Sequence, residues 1–164
     1  MRRFIQSIRN HSELQFYIRD TCCEEGICIK VDNHVSHLII KPDDYYNDQK
    51  IAKRPKSADC IIIQKCIGEC NNFRISIIEL KSGERKRKDC KEKMISTIYD
   101  FINSKFPILS KNYVSIDLIV GIPKQKSTLF YEQLMGEERL LIEFNNKEVE
   151  IKYLENETVL KKCY

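Results

Sequence analysis

No run of apolar residues in this chain approaches the roughly 20 needed to cross a bilayer. None of its eight cysteines forms a Cys-x-x-Cys pair. The first absence excludes a helical membrane protein. The second removes the usual signature of a zinc ribbon or a dithiol redox motif. The opening residues, Met1-Arg2-Arg3-Phe4-Ile5-Gln6-Ser7, carry neither a long apolar stretch nor the small-residue cleavage site of a secretory leader. A cytoplasmic location is therefore expected. There is no internal repeat, no low-complexity tract and no interdomain linker, so residues 1–164 read as one domain. His11, His34 and His37 have no spacing that commands a role.

What is present fits a folded soluble chain. Its 164 residues are enough to build a core, and 42% apolar against 32% charged residues is a globular rather than a disordered balance. Net charge is only +4, but it is unevenly spread. Lys50, Lys53, Arg54 and Lys56 form one basic cluster, and Arg85-Lys86-Arg87-Lys88 form another. Each alone is the ordinary solvated charge run; a pair bracketing one site points to a polyanionic substrate. The cysteines are numerous for a chain without a leader. Cys66 and Cys70 in a hairpin, with His34 and His37 upstream, leave a zinc or iron–sulfur module as one reading. Small buried hydrophobes, some of them disulfide-paired, are the other.

Hydrophobic periodicity outlines the elements. Phe4, Ile5 and Ile8, then Leu14, Tyr17 and Ile18, form helical stripes over the first twenty residues, with Ser12 and Gln15 as a capping box between them. Ile27–Val31 and Val35–Ile40 alternate around Asp32-Asn33-His34 and read as a hairpin. Residues 41–56, with Pro42 and Pro55, read as a loop in which Asp43 and Asp44 are loop acids, one of which a mobile loop beside a site could bring in. Strands follow at about 58–65 and 73–81, then a helix from about 87 to 104 with Met94, Ile95, Ile98, Phe101 and Ile102 on one face. A strand spans 113–122. A short helix near 127–136 and a hairpin, 140–144 and 149–153 turning at Asn145-Asn146, complete the pattern. A helical crossover after Lys81 would make its flanking strands parallel within a mixed sheet.

The chemistry concentrates at two strand ends. Asp59 opens the apolar run Ala58-Asp59-Cys60-Ile61-Ile62-Ile63, and Ile75-Ser76-Ile77-Ile78 closes on Glu79-Leu80-Lys81. A carboxylate at the end of a buried strand is costly unless compensated. Strand alternation turns Glu79 and Lys81 to one face and Leu80 to the other. If the strands pair, Asp59 joins them, and two carboxylates with one amine suit a hard cation and an activated water. Taken singly, Asp59 is an ordinary strand-edge acid, and Glu79 with Lys81 an ordinary exposed salt bridge.

Asp59 followed by Glu79-Leu80-Lys81, in this setting of apolar strands, resembles the PD-(D/E)XK nuclease superfamily of restriction endonucleases, archaeal junction resolvases and repair nucleases. The resemblance covers about residues 1–122, with 123–164 as an extension. It implies an α/β fold with an α-β-β-β-α-β core, a mixed central sheet flanked by helices, and here a C-terminal helix and hairpin. Two departures stand out: Pro55 lies four positions before Asp59 instead of directly before it, and Lys91, Lys93 and Ile95 occupy the helix slots where the exonuclease branch has a glutamine. Carried over, the resemblance makes Asp59 and Glu79 ligands of Mg²⁺ or Mn²⁺, with the Leu80 carbonyl as a further ligand. Lys81 becomes the residue that orients the attacking water and stabilises the phosphorane. An additional acid is expected from the first helix, Glu13, with Glu24 or Glu25 as substitutes. Lys53, Arg54, Lys56, Arg85, Lys86, Arg87 and Lys88 are expected on the nucleic-acid backbone. The implied function is a Mg²⁺-dependent DNA endonuclease acting as a homodimer, with RNA left open as substrate. A nuclease-like scaffold that binds without cutting is the alternative.

Overall fold

The computed structural model describes residues 2–51, 53–66, 73–81, 87–110, 113–124, 141–144 and 147–161. In chain order these form α1 (Arg2–Arg9), a 3₁₀ turn (Leu14–Tyr17), β1 (Ile18–Arg19), β2 (Cys22–Glu24), β3 (Ile27–Val31), β4 (His37–Ile40) and α2 (Pro42–Asp48). They continue with β5 (Cys60–Lys65), β6 (Phe73–Leu80), α3 (Arg87–Ser96) running on as a π-helix (Thr97–Lys105), β7 (Tyr113–Ile122), β8 (Leu141–Phe144), β9 (Lys147–Glu155) and β10 (Val159–Leu160). The result is a mixed α/β fold.

β5 and β6 are buried at almost every position because both faces of the sheet they build are covered. They pair antiparallel from Cys60 opposite Ile78 to Lys65 opposite Phe73. Around them lies a seven-stranded sheet in the order β1-β4-β5-β6-β7-β9-β8. β7 runs parallel to β6, and β9 parallel to β7. The α3 crossover makes the first of these parallel pairs possible, as the sequence leads one to expect. Ile61, Ile63, Ile75 and Ile77 point into the core under the helices, beside Met94, Ile98, Phe101 and Ile102. Cys60, Ile62, Ile78 and Leu80 point the other way, into a second core closed by a small sheet ordered β10-β3-β2.

That small sheet revises the first hairpin. β3 does not pair with β4; it pairs with β2 and β10, while β4 joins β1 and β5. Ile27, Ile29, Val31, Val35 and Ile39 all enter the second core, so the segment turns from one sheet to the other. Residues 41–56 are not wholly loop either. Pro42 occupies the first turn of α2, where its missing N–H costs nothing, and Tyr45 and Tyr46 are buried. The N-terminal helix stops at Arg9. Ser12 does not cap the 3₁₀ turn: the His11 ring Nδ1 accepts the N–H groups of Glu13 and Leu14, both at 3.3 Å. The C-terminal hairpin forms between β8 and β9; the helix read at 127–136 and the turn Asn145-Asn146 lie outside the described residues. Among the described residues, no helix is long and apolar enough to cross a membrane.

Cys22 and Cys60 form a disulfide that ties the small sheet to β5, and Cys23–Cys28 closes the β2–β3 hairpin at a register pair. Cys90 is free and buried. The Cys22–Cys60 bond encloses a 38-residue separation, so it removes considerable freedom from the unfolded chain. Reduction, or Cys22→Ala with Cys60→Ala, is expected to lower the unfolding free energy by about 2–4 kcal/mol. Urea titrations with and without reductant measure it, and an unchanged midpoint would count against the restraint.

Candidate active site

Side-chain parity builds the site. The β5–β6 register, extended one step past Cys60 and Ile78, sets Asp59 opposite Glu79. Ile61 and Ile77 face the helices, so Asp59, Glu79 and Lys81, each an even number of positions away, turn to that same face. Leu80 turns into the second core. Its backbone N–H donates to Asp59 Oδ2 at 2.6 Å, which holds the acid at the strand end.

Glu79 is fully buried, with 0% of its surface exposed. Both Lys81 Nζ and Lys93 Nζ contact its Oε1, the latter at 2.6 Å. Its Oε2 has no hydrogen-bond partner among the described residues. Lys93 comes from α3, where Asp89, Lys93 and Thr97 succeed one another at helical i, i+4 spacing on one face. Thr97 fixes that helix to the site: its hydroxyl accepts the Ala58 N–H at 2.8 Å and donates to the Lys93 carbonyl at 2.8 Å. Asp89 lies 3.9 Å from Lys81 and 3.0 Å from Lys56.

Asp59, Leu80, Lys81, Asp89 and Lys93 line a cavity of about 600 Å³. Its other walls are the first turn of α2, through Asp43, and the β2–β3 turn, through Glu24 and Glu25. That turn is a two-residue connection in which Glu25 (φ 47°) and Gly26 (φ 80°) both take the left-handed conformation such hairpins require.

Burial, and then the charge of Glu79, push the Asp59 carboxyl up to about 7, against the pull of the Leu80 N–H, Lys93 and Lys81. Burial works against the Lys93 ammonium, but its bond to Glu79 and the charges of Glu79 and Asp59 outweigh it and hold its pKa above the ordinary lysine value. The bond to Lys56 holds Asp89 below the usual carboxylate range.

Of the residues singled out from sequence, Asp59, Glu79, Leu80 and Lys81 come together. Glu13 does not join them. With α1 ending at Arg9 and Leu14 buried in the core, Glu13 sits beside Gln49 at 3.5 Å and is not among the cavity's lining residues. Glu24 and Glu25 are. Arg54 and Lys56 line the cavity, each with acidic neighbours: Asp43 at 3.8 Å for Arg54, Asp89 and Glu92 for Lys56. Lys53 is exposed and outside it. Arg85 and Lys86 lie outside the described residues, as do the side chains of Arg87 and Lys88. Sequence reasoning misses Lys93, Asp43 and Asp89 as site residues; for two of them the spacing of Asp89, Lys93 and Thr97 was a usable signal.

Among the described residues no three His, Cys, Asp or Glu side chains stand arranged to hold a metal ion. The oxygen donors available to one are Asp59 and Glu79, a set that suits an ion retaining most of its own waters. No family model, no curated protein and no solved structure matches the chain.

This geometry has two measurable consequences. Between the unfolded Asp pKa of 3.8 and the folded value of about 7, the native state holds one proton more than the unfolded state at Asp59. Stability is therefore lost as pH rises through that window, by up to about 1.4 kcal/mol per unit from this group. Asp59→Asn should flatten that slope relative to the parent in urea titrations at pH 4.5, 5.5 and 6.5; an unchanged slope would contradict the assignment. Thr97→Val keeps the shape but strands the buried Ala58 N–H, and should cost about 1–3 kcal/mol in the same titrations.

Proposed function

We propose that this protein is a divalent-cation-dependent nuclease of the PD-(D/E)XK kind that hydrolyses phosphodiester bonds in DNA. The observation that carries this reading is the buried Glu79 carboxylate: two ammonium groups share one of its oxygens, and the other has no hydrogen-bond partner among the described residues. A purely structural acid gains nothing from that position, since burying ions is expensive and apolar substitutes commonly do as well. The order of elements supports the finer fold reading. With β1–β3 and α2 taken as insertions, α1, the antiparallel β4, β5 and β6, the crossover α3 and the parallel β7 correspond to the α-β-β-β-α-β sequence of that superfamily's core.

Asp59 and Glu79 would hold Mg²⁺, or Mn²⁺ in its place, with the Leu80 carbonyl as a further ligand. Bound there, the ion acidifies a coordinated water and neutralises phosphate charge. The chain's own groups do the rest. Lys81, only 6% exposed, keeps an ammonium where negative charge develops on the phosphorane, and its fixed position avoids reorganisation during the reaction. Asp59 must be ionised to serve as a ligand, and the Leu80 N–H favours that state. Arg54 and Lys56 at the cavity wall meet the flanking phosphates. Two copies of the chain, cutting one strand each, would act as a homodimer.

The deciding measurement is nicking of supercoiled plasmid, with duplex, branched and single-stranded substrates alongside, in Mg²⁺ or Mn²⁺. Cutting should require the ion. Asp59→Ala and Lys81→Ala should each reduce it by about 10²–10³-fold while leaving DNA binding in place. Unchanged cutting in either variant would remove the roles assigned to these residues; no cutting by the parent on any substrate would remove the proposal and favour a binding scaffold.

A further inference from the structure

Nuclease chemistry accounts for one ammonium at Glu79, and the site holds two. Lys81 is on β6's own extension and is 7% exposed at its side chain; Lys93 reaches in from α3 and is 18% exposed. Both meet the same oxygen of a carboxylate that has nowhere else to turn. A divalent ion arriving at the other oxygen of Glu79 still stands within a few ångströms of two ammonium groups on Oε1, and like charges at such range repel strongly at low dielectric. The group with the freer path outward is Lys93, which already lines the cavity on which Asp59, Leu80 and Lys81 also open. Its four-carbon stem permits the swing, while the Thr97 bond to the Lys93 carbonyl keeps its backbone in place.

We infer that Lys93 is a second phosphate-binding ammonium, stored on Glu79 while the site lacks a cation and released to a non-bridging oxygen of the substrate phosphate when the cation binds. The inference rests on the nuclease reading. In the resting protein Lys93 neutralises Glu79 and lets a buried carboxylate persist. In the working one the cation takes over that task and Lys93 becomes available to the anion that enters next. Lysine and cation thus compete for Glu79, and lysine and cation cooperate on the phosphate.

These roles give one substitution two effects of opposite sign. Lys93→Met keeps the apolar stem and removes the charge. Mn²⁺ titrated calorimetrically into DNA-free protein should bind about tenfold more tightly than to the parent, since a competing charge is gone. At saturating Mn²⁺ the same variant should cut plasmid about 10²-fold more slowly, and Lys93→Arg should recover part of that loss. If Lys93→Met does not fold, Lys93→Gln is carried through both measurements in its place. Weaker Mn²⁺ binding, or cutting at the parent rate in saturating Mn²⁺, would overturn the inference while leaving the nuclease reading intact. A parent protein that neither binds Mn²⁺ nor cuts DNA would overturn both.

Discussion

Glu79 is the constraint around which this end of the molecule is arranged. A fully buried carboxylate cannot stand alone, because the cost of stripping it of water far exceeds what one hydrogen bond returns. The sheet supplies Lys81 from the same strand and Asp59 from the neighbouring one, and α3 supplies Lys93 from above. Two carboxylates and two ammonium groups make a quartet whose formal charge is zero. Neutrality does not make the arrangement favourable, however. Well-packed apolar residues would fill the same volume at equal or better stability, so the quartet is maintained at the fold's expense.

Its precision comes from elements that serve the core first. Asp59 reaches Glu79 because the isoleucines of β5 and β6 fix the register, and a slip of one residue would turn every side chain on one strand to the other face. Lys93 reaches Glu79 because Met94, Ile98, Phe101 and Ile102 dock the helix, and because the Thr97 hydroxyl joins the Lys93 carbonyl to the Ala58 N–H. One hydroxyl therefore sets the height of the helix against the residue that precedes Asp59. Behind the sheet, the Cys22–Cys60 bond anchors the residue on the other side of Asp59. Asp59 is pinned on both sides along the chain.

Legibility in the sequence divides along the same line. Strand interiors were readable, since the apolar run Cys60–Ile63 and the Ile-Ser-Ile-Ile stretch at Ile75–Ile78 leave few alternatives, and strand alternation placed Glu79 with Lys81. Partnership was not. Ile27, Ile29 and Val31 alternate identically whether β3 pairs with β4 or with β2 and β10, because both arrangements bury the same side chains. Pro42 misled for a related reason: a proline breaks a helix interior but fits its first turn, and only the burial of Tyr45 and Tyr46 tells which applies. The expectation for Glu13 rests on a helix that stops before reaching it. Lys93, Asp89 and Asp43 enter the cavity on helices whose docking is tertiary, so spacing alone assigns them a face without saying what that face meets.

If the proposed nuclease reading holds, charge at the cavity wall would give the cation a second task beyond chemistry. The lining holds five acids, Glu24, Glu25, Asp43, Asp59 and Asp89, against four bases, Arg54, Lys56, Lys81 and Lys93. Several of these bases are committed to acids, Lys56 to Asp89 and Glu92, Arg54 to Asp43, and Lys81 and Lys93 to Glu79. Such a wall holds little net attraction for a polyanion. The exposed pairs are worth little and exchange readily, so Lys56 and Arg54 can trade a carboxylate for a phosphate. The buried pairs cannot, until something replaces the ammonium at Glu79. On the proposed nuclease reading, a divalent ion would do so and add two positive charges beside Asp59. On that reading, phosphate and cation would then enter the site as a linked pair, and affinity for nucleic acid without the ion would be confined to the rim.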